Sequence, residues 1–431
     1  MSKNIVVLSD GTGQEGGKGH DTNVYKLFRM LEDRTERQMV FYDEGLGTDW
    51  RKISGNVAGA GFTKNILQCY QFIYENYNAG DKIFLLGFSR GAATVRSLAN
   101  FIEYFGILPK SRPELIEQAY ALYRIGREVR ESENAEDALK EELEIEHLTT
   151  ESGLNLKELG DAIIRGTSLN EKAEKFSHQH PNQWASIEFL GVWDTVPSLG
   201  IPGAVIDTFV NIVPGWKHRY HDFTLHPSVK NAYQALSIDD DRKWFQPTIW
   251  DSYNPEYQKV EQVWFSGSHT DVGGGFREPG LSDIVLEWMV QKAVSHGIKL
   301  YLRSMKYWNF CVAPDPTDKI HPPREGAGKV YPGMQRTWPK SAQETFGFPK
   351  IHASVLERAK RVDDYDPWIL KEFPEYEIEP WEEIFELDGK KTSVRDYDES
   401  TWEEQFSFDG DDVRITRLEN HFDKLIKRGT W

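Results

Sequence analysis

Ile83, Phe84, Leu85, Leu86, Gly87, Phe88, Ser89, Arg90, Gly91, Ala92 is the stretch whose reading decides the fold. Its first four residues form an unbroken apolar run with the length of a short buried strand. After it, Ala92, Val95, Leu98, Ala99 and Ile102 recur at helical spacing. A strand therefore passes into a helix across Gly87–Gly91, a GxSxG pattern. Such a turn is sharp; glycines on either side let it close, and the hydroxyl of Ser89 projects above the sheet edge. The letters alone would also suit an ordinary glycine-rich turn with a serine cap. The flanking strand and helix favour a nucleophile.

Outward from this turn, strands and helices alternate. Ile5–Leu8 reads as a buried strand, followed by a glycine-rich loop and a helix marked by Val24, Leu27, Phe28 and Leu31. Met39–Tyr42 reads as a second strand, and Phe62, Ile66, Cys69, Tyr70, Ile73 and Tyr77 as a second helical stripe. The rhythm breaks near Pro109. From Ser111 to Trp184 the chain is highly charged, with helical stretches at Leu115–Tyr123 and Ala135–Leu148. This excursion reads equally as a cap over a site or as a solvated insertion. The core resumes at Ile187–Val192 and continues through a helix near Val229–Leu236, a strand at Val263–Phe265 and a helix from Leu281 to about Ala293.

Strands joined by helices imply right-handed crossovers and a mostly parallel sheet covered on both faces. The expected fold is thus α/β: an α/β-hydrolase-like, doubly wound sheet with a helical insertion and a C-terminal appendage. The corresponding division is 1–110 and 185–300 for the two parts of the core, 111–184 for the insertion and 301–431 for an accessory region. In that last region the alternation disappears, while tryptophans at 308, 338, 368, 381 and 402 indicate a packed segment.

Charge and composition narrow the function classes. A formal charge of −17, from 68 acidic against 51 basic residues, argues against a nucleic-acid partner and against adsorption to an anionic membrane. Two cysteines, Cys69 and Cys311, are too few for a disulfide framework and read as packing residues. No apolar run approaches the ~18 residues of a membrane span, and the N-terminus passes into a strand rather than a signal peptide. A cytoplasmic origin is expected, with export by a route that reads no signal peptide left open. Contact with a membrane would be transient, and oligomeric state is not legible.

A serine hydroxyl needs a base to take its proton and a carboxylate to orient that base. On doubly wound hydrolases the order is nucleophile, acid, histidine, each on a loop at a strand's carboxyl end. Asp194 ends the run Phe189–Trp193 and precedes Thr195, Val196 and Pro197, which break the strand, so it is the expected acid. Asp271 is the alternative acid, and Asp10, at the end of the first strand, reads as a loop organiser. Of twelve histidines, His269 stands on a strand-end loop ahead of Asp271–Gly275; His221 is the runner-up. The tetrahedral intermediate also needs backbone donors. The amide of Arg90 is one candidate, and Gly11 or Thr12, after the first strand, the other. No metal or organic cofactor is required.

Two other readings compete. Gly11–Gly16 spells GxGxxG after a strand, the dinucleotide-binding pattern, but that motif needs a helix opening within the glycines. Here Gly17–Asp21 prolong the loop, and the helix is expected near Thr22. A Walker A loop is excluded because Gly19 follows Lys18. The second alternative is a hydrolase shell that is catalytically idle and serves as an interaction module.

Six segments carry a resemblance: Ser9–Thr12, Asp21–Val24, Tyr42–Thr48, Leu86–Ala92, Phe189–Val196 and Trp264–Gly275. In this order the chain resembles the α/β hydrolases called domain of unknown function 2235, which include type VI secretion phospholipase effectors of the first lipase class. The resemblance implies a triad of Ser89, Asp194 and His269. It also implies ester hydrolysis, with phospholipids or other lipid esters as substrates.

Overall fold

The computed structural model describes residues 2–11, 17, 20–45, 55–131, 169–196, 225–300, 312–381, 384–387 and 390–393. β1 (Asn4–Ser9) leads to α1 (Asn23–Met30), β2 (Gln38–Asp43), α2 (Gly55–Asn76), β3 (Lys82–Phe88) and α3 (Arg90–Phe105). α4 (Leu115–Glu131) and α5 (Leu169–Gln179) flank the middle of the charged insertion. There follow β4 (Ile187–Trp193), β5 (Asn231–Ser237), β6 (Lys259–Phe265), the short α6 (His269–Gly273) and α7 (Gly280–Ser295). The last part contributes α8 (Lys340–Phe346), β7 (Lys350–His352), α9 (Ala353–Arg361), α10 (Trp368–Glu372) and β8 (Glu377–Glu379). β9 (Ile384–Leu387) and β10 (Lys390–Ser393) pair with each other, antiparallel.

Eight strands form one sheet in the order β2-β1-β3-β4-β5-β6-β7-β8, and every pairing in it is parallel. Both faces are covered, as a parallel sheet requires, so the middles of the central strands β1, β3 and β4 read as continuous apolar runs. Alternate side chains serve opposite layers. Ile5, Val7, Ile83 and Leu85 pack with Ile66 and Cys69 of α2 and Leu98 of α3. Val6, Leu8, Phe84 and Leu86 pack with Val24 and Leu27 of α1 and Val285 and Met289 of α7. Each such side chain, fully buried, contributes about 1.5–3 kcal/mol.

The strand order reverses beside β1. Its neighbours are β2 and β3, with Ser9 in register with Gly87, so the connections after β1 and β3 leave in opposite directions and open a crevice at the carboxyl ends. The turn after β3 faces that crevice.

Two sequence expectations are corrected. The helix expected near Val229–Leu236 is β5: Ala232, Tyr233, Ala235 and Leu236 are all buried, and a run buried on both faces has no strand period to distinguish it from a core helix. Alternation also does not stop at about residue 300. β7 and β8, three residues each, extend the sheet beyond β6, and they are too short to show a period. Around them Trp264, Trp338, Ile351 and Ile369 form a third core, with Trp368 packed against it. Cys69 is a buried core residue, whereas Cys311, Trp308, Trp402 and the stretch Ala135–Leu148 lie outside the described residues.

Candidate active site

Ser89 follows β3 directly and begins the approach to α3 in a conformation that side chains rarely adopt, φ 56° and ψ −119°. Holding a non-glycine residue there costs on the order of 1–3 kcal/mol, and the packing around it must supply the difference. Close approach explains the two glycines. A β-carbon at Gly87 would lie 2.5 Å from the carbonyl oxygen of Gly91, and one at Gly91 would lie 2.0 Å from that of Ser9. The backbone of Ser89 donates to Trp193 O at 3.0 Å, which ties the turn to β4. Ser89 occupies the N-cap of α3, yet its side chain makes no capping bond. Its Oγ lies instead 2.8 Å from His269 Nε2.

Asp194 ends β4, also with positive φ, 42°, and its N–H donates to Ala235 O at 2.8 Å. His269 starts α6. The loop before it is pinned to the end of β5, where Ser237 Oγ donates to Gly267 O at 2.7 Å and Gly267 N–H donates to Asp239 at 2.6 Å. His269 N–H donates to Asp240 at 3.1 Å. The imidazole lies between the ring of Phe88, 4.7 Å away, and that of Phe245, edge-on at 5.3 Å. Its Nδ1 is 2.6 Å from Asp194 Oδ2. An ionised carboxylate can only accept, so Nδ1 carries a proton, and in a neutral imidazole the lone pair of Nε2 then faces Ser89. The strand ends of β3 and β4 and the loop after β6 thus bring three residues, far apart in the chain, into a hydrogen-bonded line.

A fourth side chain completes the environment of Asp194. Arg336, fully buried, donates to Oδ1 at 2.6 Å through one terminal nitrogen and to Oδ2 at 2.8 Å through the other. Burial pushes the Asp194 carboxyl up, but the Arg336 guanidinium and the hydrogen bond from His269 outweigh it and hold the group well below the usual carboxylate range. Nothing in the sequence around Arg336 signals this role. The two residues stand 142 positions apart, and no periodicity links them.

The remaining sequence candidates have other surroundings. The carboxylate of Asp271 caps α6, accepting from the N–H of Ser268 at 2.9 Å, and contacts Nδ1 of His321 at 2.6 Å. Gly11 lies beside the turn: a β-carbon there would be 3.4 Å from Ser89 Cβ and 3.3 Å from the Phe88 ring. Its N–H donates to Asp10 Oδ1 at 2.7 Å. Asp10 Oδ2 accepts from the hydroxyls of Thr22 at 2.5 Å and Tyr42 at 2.7 Å, so this carboxylate ties together the ends of β1 and β2 and the start of α1. Burial pushes its pKa up to about 7, against the lowering effect of these hydrogen bonds. The N–H of Arg90 belongs to the first turn of α3, whose N–H groups the helix itself does not use. Thr12 and His221 lie outside the described residues, as does most of the Gly11–Gly16 pattern. α1 opens at Asn23, with Thr22 as its N-cap, well past those glycines. Among the described residues, no group of three His, Cys, Asp or Glu side chains could hold a metal ion.

An all-parallel sheet wrapped on both faces, with a polar line at its carboxyl edge beside a strand-to-helix turn, is the architecture of an α/β-hydrolase-like protein. The chain belongs to the family described as "T6SS, Phospholipase effector Tle1-like, catalytic domain", whose model matches residues 3–292. An uncharacterised protein of Saccharomyces cerevisiae, YEL023C, is 30% identical over 138 residues, 28% of this chain and 20% of that one. Among solved structures, an uncharacterised protein from Pseudomonas aeruginosa is 14% identical with a TM-score of 0.37, over 70% of this chain and 47% of that one. The structure of the Tle1 effector bound to the VgrG spike of the type VI secretion system is 16% identical with a TM-score of 0.33, over 64% of this chain and 52% of that one. The chain thus spans a fifth of the yeast relative and about half of each solved structure.

Proposed function

We propose that the chain is a serine hydrolase that cleaves carboxylic esters of lipids, phospholipids foremost, through an acyl-enzyme. The observation that carries this reading is the line Ser89 Oγ, His269 Nε2, His269 Nδ1, Asp194 Oδ2, with separations of 2.8 and 2.6 Å. Both lie in the range that proton transfer requires. Ser89 Oγ attacks the ester carbonyl carbon as its proton passes to Nε2. The tetrahedral intermediate places its negative oxygen near the N–H of Arg90 and the loop after β1, where Gly11 and Thr12 are the candidate donors. Collapse breaks the bond between the acyl carbon and the alcohol oxygen, and the alcohol leaves with the proton from Nε2. Water, deprotonated by the same nitrogen, then attacks the acyl carbon; the bond from that carbon to Ser89 Oγ breaks, Oγ takes the proton back from Nε2, and the acid is released. The Gly11 N–H serves in this only if it exchanges its bond to Asp10 for one to the intermediate.

Family membership supports the lipid ester as substrate, and it also supports export through type VI secretion, which would need no signal peptide. Among the described residues no helix is long and apolar enough to cross a membrane. The division into a two-part core, an insertion and a last region belongs to this proposal, with β7 and β8 of the last region continuing the core sheet.

The test is hydrolysis of a phosphatidylethanolamine vesicle panel and of p-nitrophenyl butyrate, read by mass spectrometry and absorbance. Wild type is expected to release fatty acid and react with a fluorophosphonate probe; Ser89→Ala is expected to do neither. Undiminished turnover by folded Ser89→Ala would remove the nucleophile assignment. A wild-type serine inert to the probe would favour an idle shell.

A further inference from the structure

We infer that Arg336, outside the segment matched by the family, is a positioning residue for the reaction: its two-point grip on Asp194 keeps the Asp194–His269 pair singly negative, with Nε2 free to take the proton of Ser89. This rests on the hydrolase reading above.

Asp194 is fully buried. A carboxylate in that position ionises only if its surroundings replace the lost hydration. Its oxygens receive four polar groups: Ser237 N–H at 3.0 Å and Arg336 on Oδ1, His269 and Arg336 on Oδ2. Of these donors Arg336 alone brings a permanent charge, and it supplies two of the bonds. The guanidinium in turn is fully used at its terminal nitrogens. Beyond Asp194 it donates to Ser237 O at 2.8 Å and Phe245 O at 2.6 Å. Those carbonyls belong to the end of β5 and the segment that places Phe245 against the imidazole. Backbone bonds hold the arginine's own segment in place: Lys243 N–H to Pro332 O at 2.9 Å and Met334 N–H to Asp241 O at 2.7 Å. The same carboxylate therefore orients the histidine and anchors the chain beyond residue 300.

The sign of the effect does not depend on where a proton resides. The working pair, ionised Asp194 with neutral His269, carries one negative charge. Adding a proton neutralises the pair, whether on nitrogen or oxygen, and ends its action as a base. A fixed positive charge beside it opposes that protonation. Removing the charge moves the loss of activity to higher pH. Other charged groups bear on the pair or its arginine: Asp240, which accepts from the His269 N–H and pairs with Arg242, and Asp239, which with Asp240 acts on Arg336. Arg90 and the Asp271–His321 contact are near in the chain, one residue after Ser89 and two after His269. Burial raises Asp239 to about 6, within the working window, while Gly267 and Tyr365 hold its carboxylate.

The experiment measures kcat/KM against pH with p-nitrophenyl butyrate, from about pH 5 to 9, for the full chain as wild type, Arg336→Met and Arg336→Lys. Arg336→Met should move the acid limb up by roughly one pH unit or more and lower the plateau about tenfold or more. Arg336→Lys keeps the charge but not the fork, so its limb should stay within about 0.3 unit while its plateau falls. Repeating the pair in Asp239→Asn takes that group out of the window. An arginine that only packs would lower the rate at every pH and leave the limb in place; that result in folded Arg336→Met overturns the inference. Should Arg336→Met not fold, a wild-type plateau in Arg336→Lys overturns it instead. NMR titration of the His269 ring nitrogens reads the same displacement without turnover. It therefore still decides the role of Arg336 if no ester is hydrolysed, or if Ser89→Ala stays active, and the hydrolase reading fails.

Discussion

The ring of Phe88 lies against Gly273 so closely that a β-carbon on the glycine would come within 2.0 Å of Cε2. Phe88 is the residue before Ser89, and its ring also packs on His269. The last residue of α6 and the last residue of β3 therefore set the distance between the serine and the histidine.

Gly273→Ala is expected to disturb that distance. The phenyl ring is buried and cannot swing into solvent, so the added methyl group must displace either the ring or α6. A shift of about 1 Å at a site of this kind costs on the order of 10²-fold in rate. Steady-state kinetics should show kcat reduced more than KM is raised, with a thermal midpoint a few degrees lower. A variant with wild-type kcat would mean that the ring relaxes without moving the imidazole.

Asp194→Asn should separate stability from activity. The amide takes from the buried guanidinium of Arg336 the one carboxylate it is bonded to, which costs about 3–5 kcal/mol in urea unfolding. The rate should fall by about 10⁴, since the neutral side chain no longer selects the Nδ1-protonated imidazole. Adding Arg336→Met to Asp194→Asn should restore part of the stability and none of the rate. If the two changes were simply additive in stability, the buried pair would not be coupled.

Asp10 makes stability depend on pH in the direction opposite to an ion-paired carboxylate. Its folded pKa is about 7, whereas a carboxyl in an unfolded chain titrates near ~3.9. Between those values the unfolded chain has lost a proton that the folded chain keeps. The contribution is full below the unfolded value and is lost as pH rises through the folded one. At most about 4 kcal/mol is involved, from about 3 units at ~1.4 kcal/mol each. Asp10→Asn should therefore gain on wild type as pH is raised from about 5 to 8, read as the gap between their thermal midpoints. A gap that does not change with pH would show that Asp10 stays ionised across the range.

Much of this arrangement was open to reading because the strands that carry it are central. β1, β3 and β4 are buried on both faces over Ile5–Leu8, Ile83–Phe88 and Phe189–Trp193, which keeps those runs free of polar side chains, and each strand is followed by a residue that does not continue it: Asp10, Ser89, Asp194. Ser89, Asp194 and His269 stand at or just beyond such ends. β5 escaped the same reading because Ala232 and Ala235 suit either a helix or a covered strand. β7 and β8 escaped it because three residues carry no pattern. Arg336 was invisible for a different reason. A buried ion pair between distant segments leaves no local trace, and an arginine in a stretch rich in Pro, Trp and Gln reads as surface. The pairing of Asp271 with His321 was hidden likewise.

The sheet does not end where the family's matched segment ends. Val263 and Trp264 of β6 pair with Lys350 and Ile351 of β7, and β8 lies beyond that. A chain cut at residue 292 would keep the serine, the aspartate and the histidine, yet bare the outer ladder of β6 and the apolar face around Trp264. An uncovered strand edge recruits other strands. The shorter piece would thus be prone to self-association, and yield and solubility on expression would depend on where the boundary is drawn.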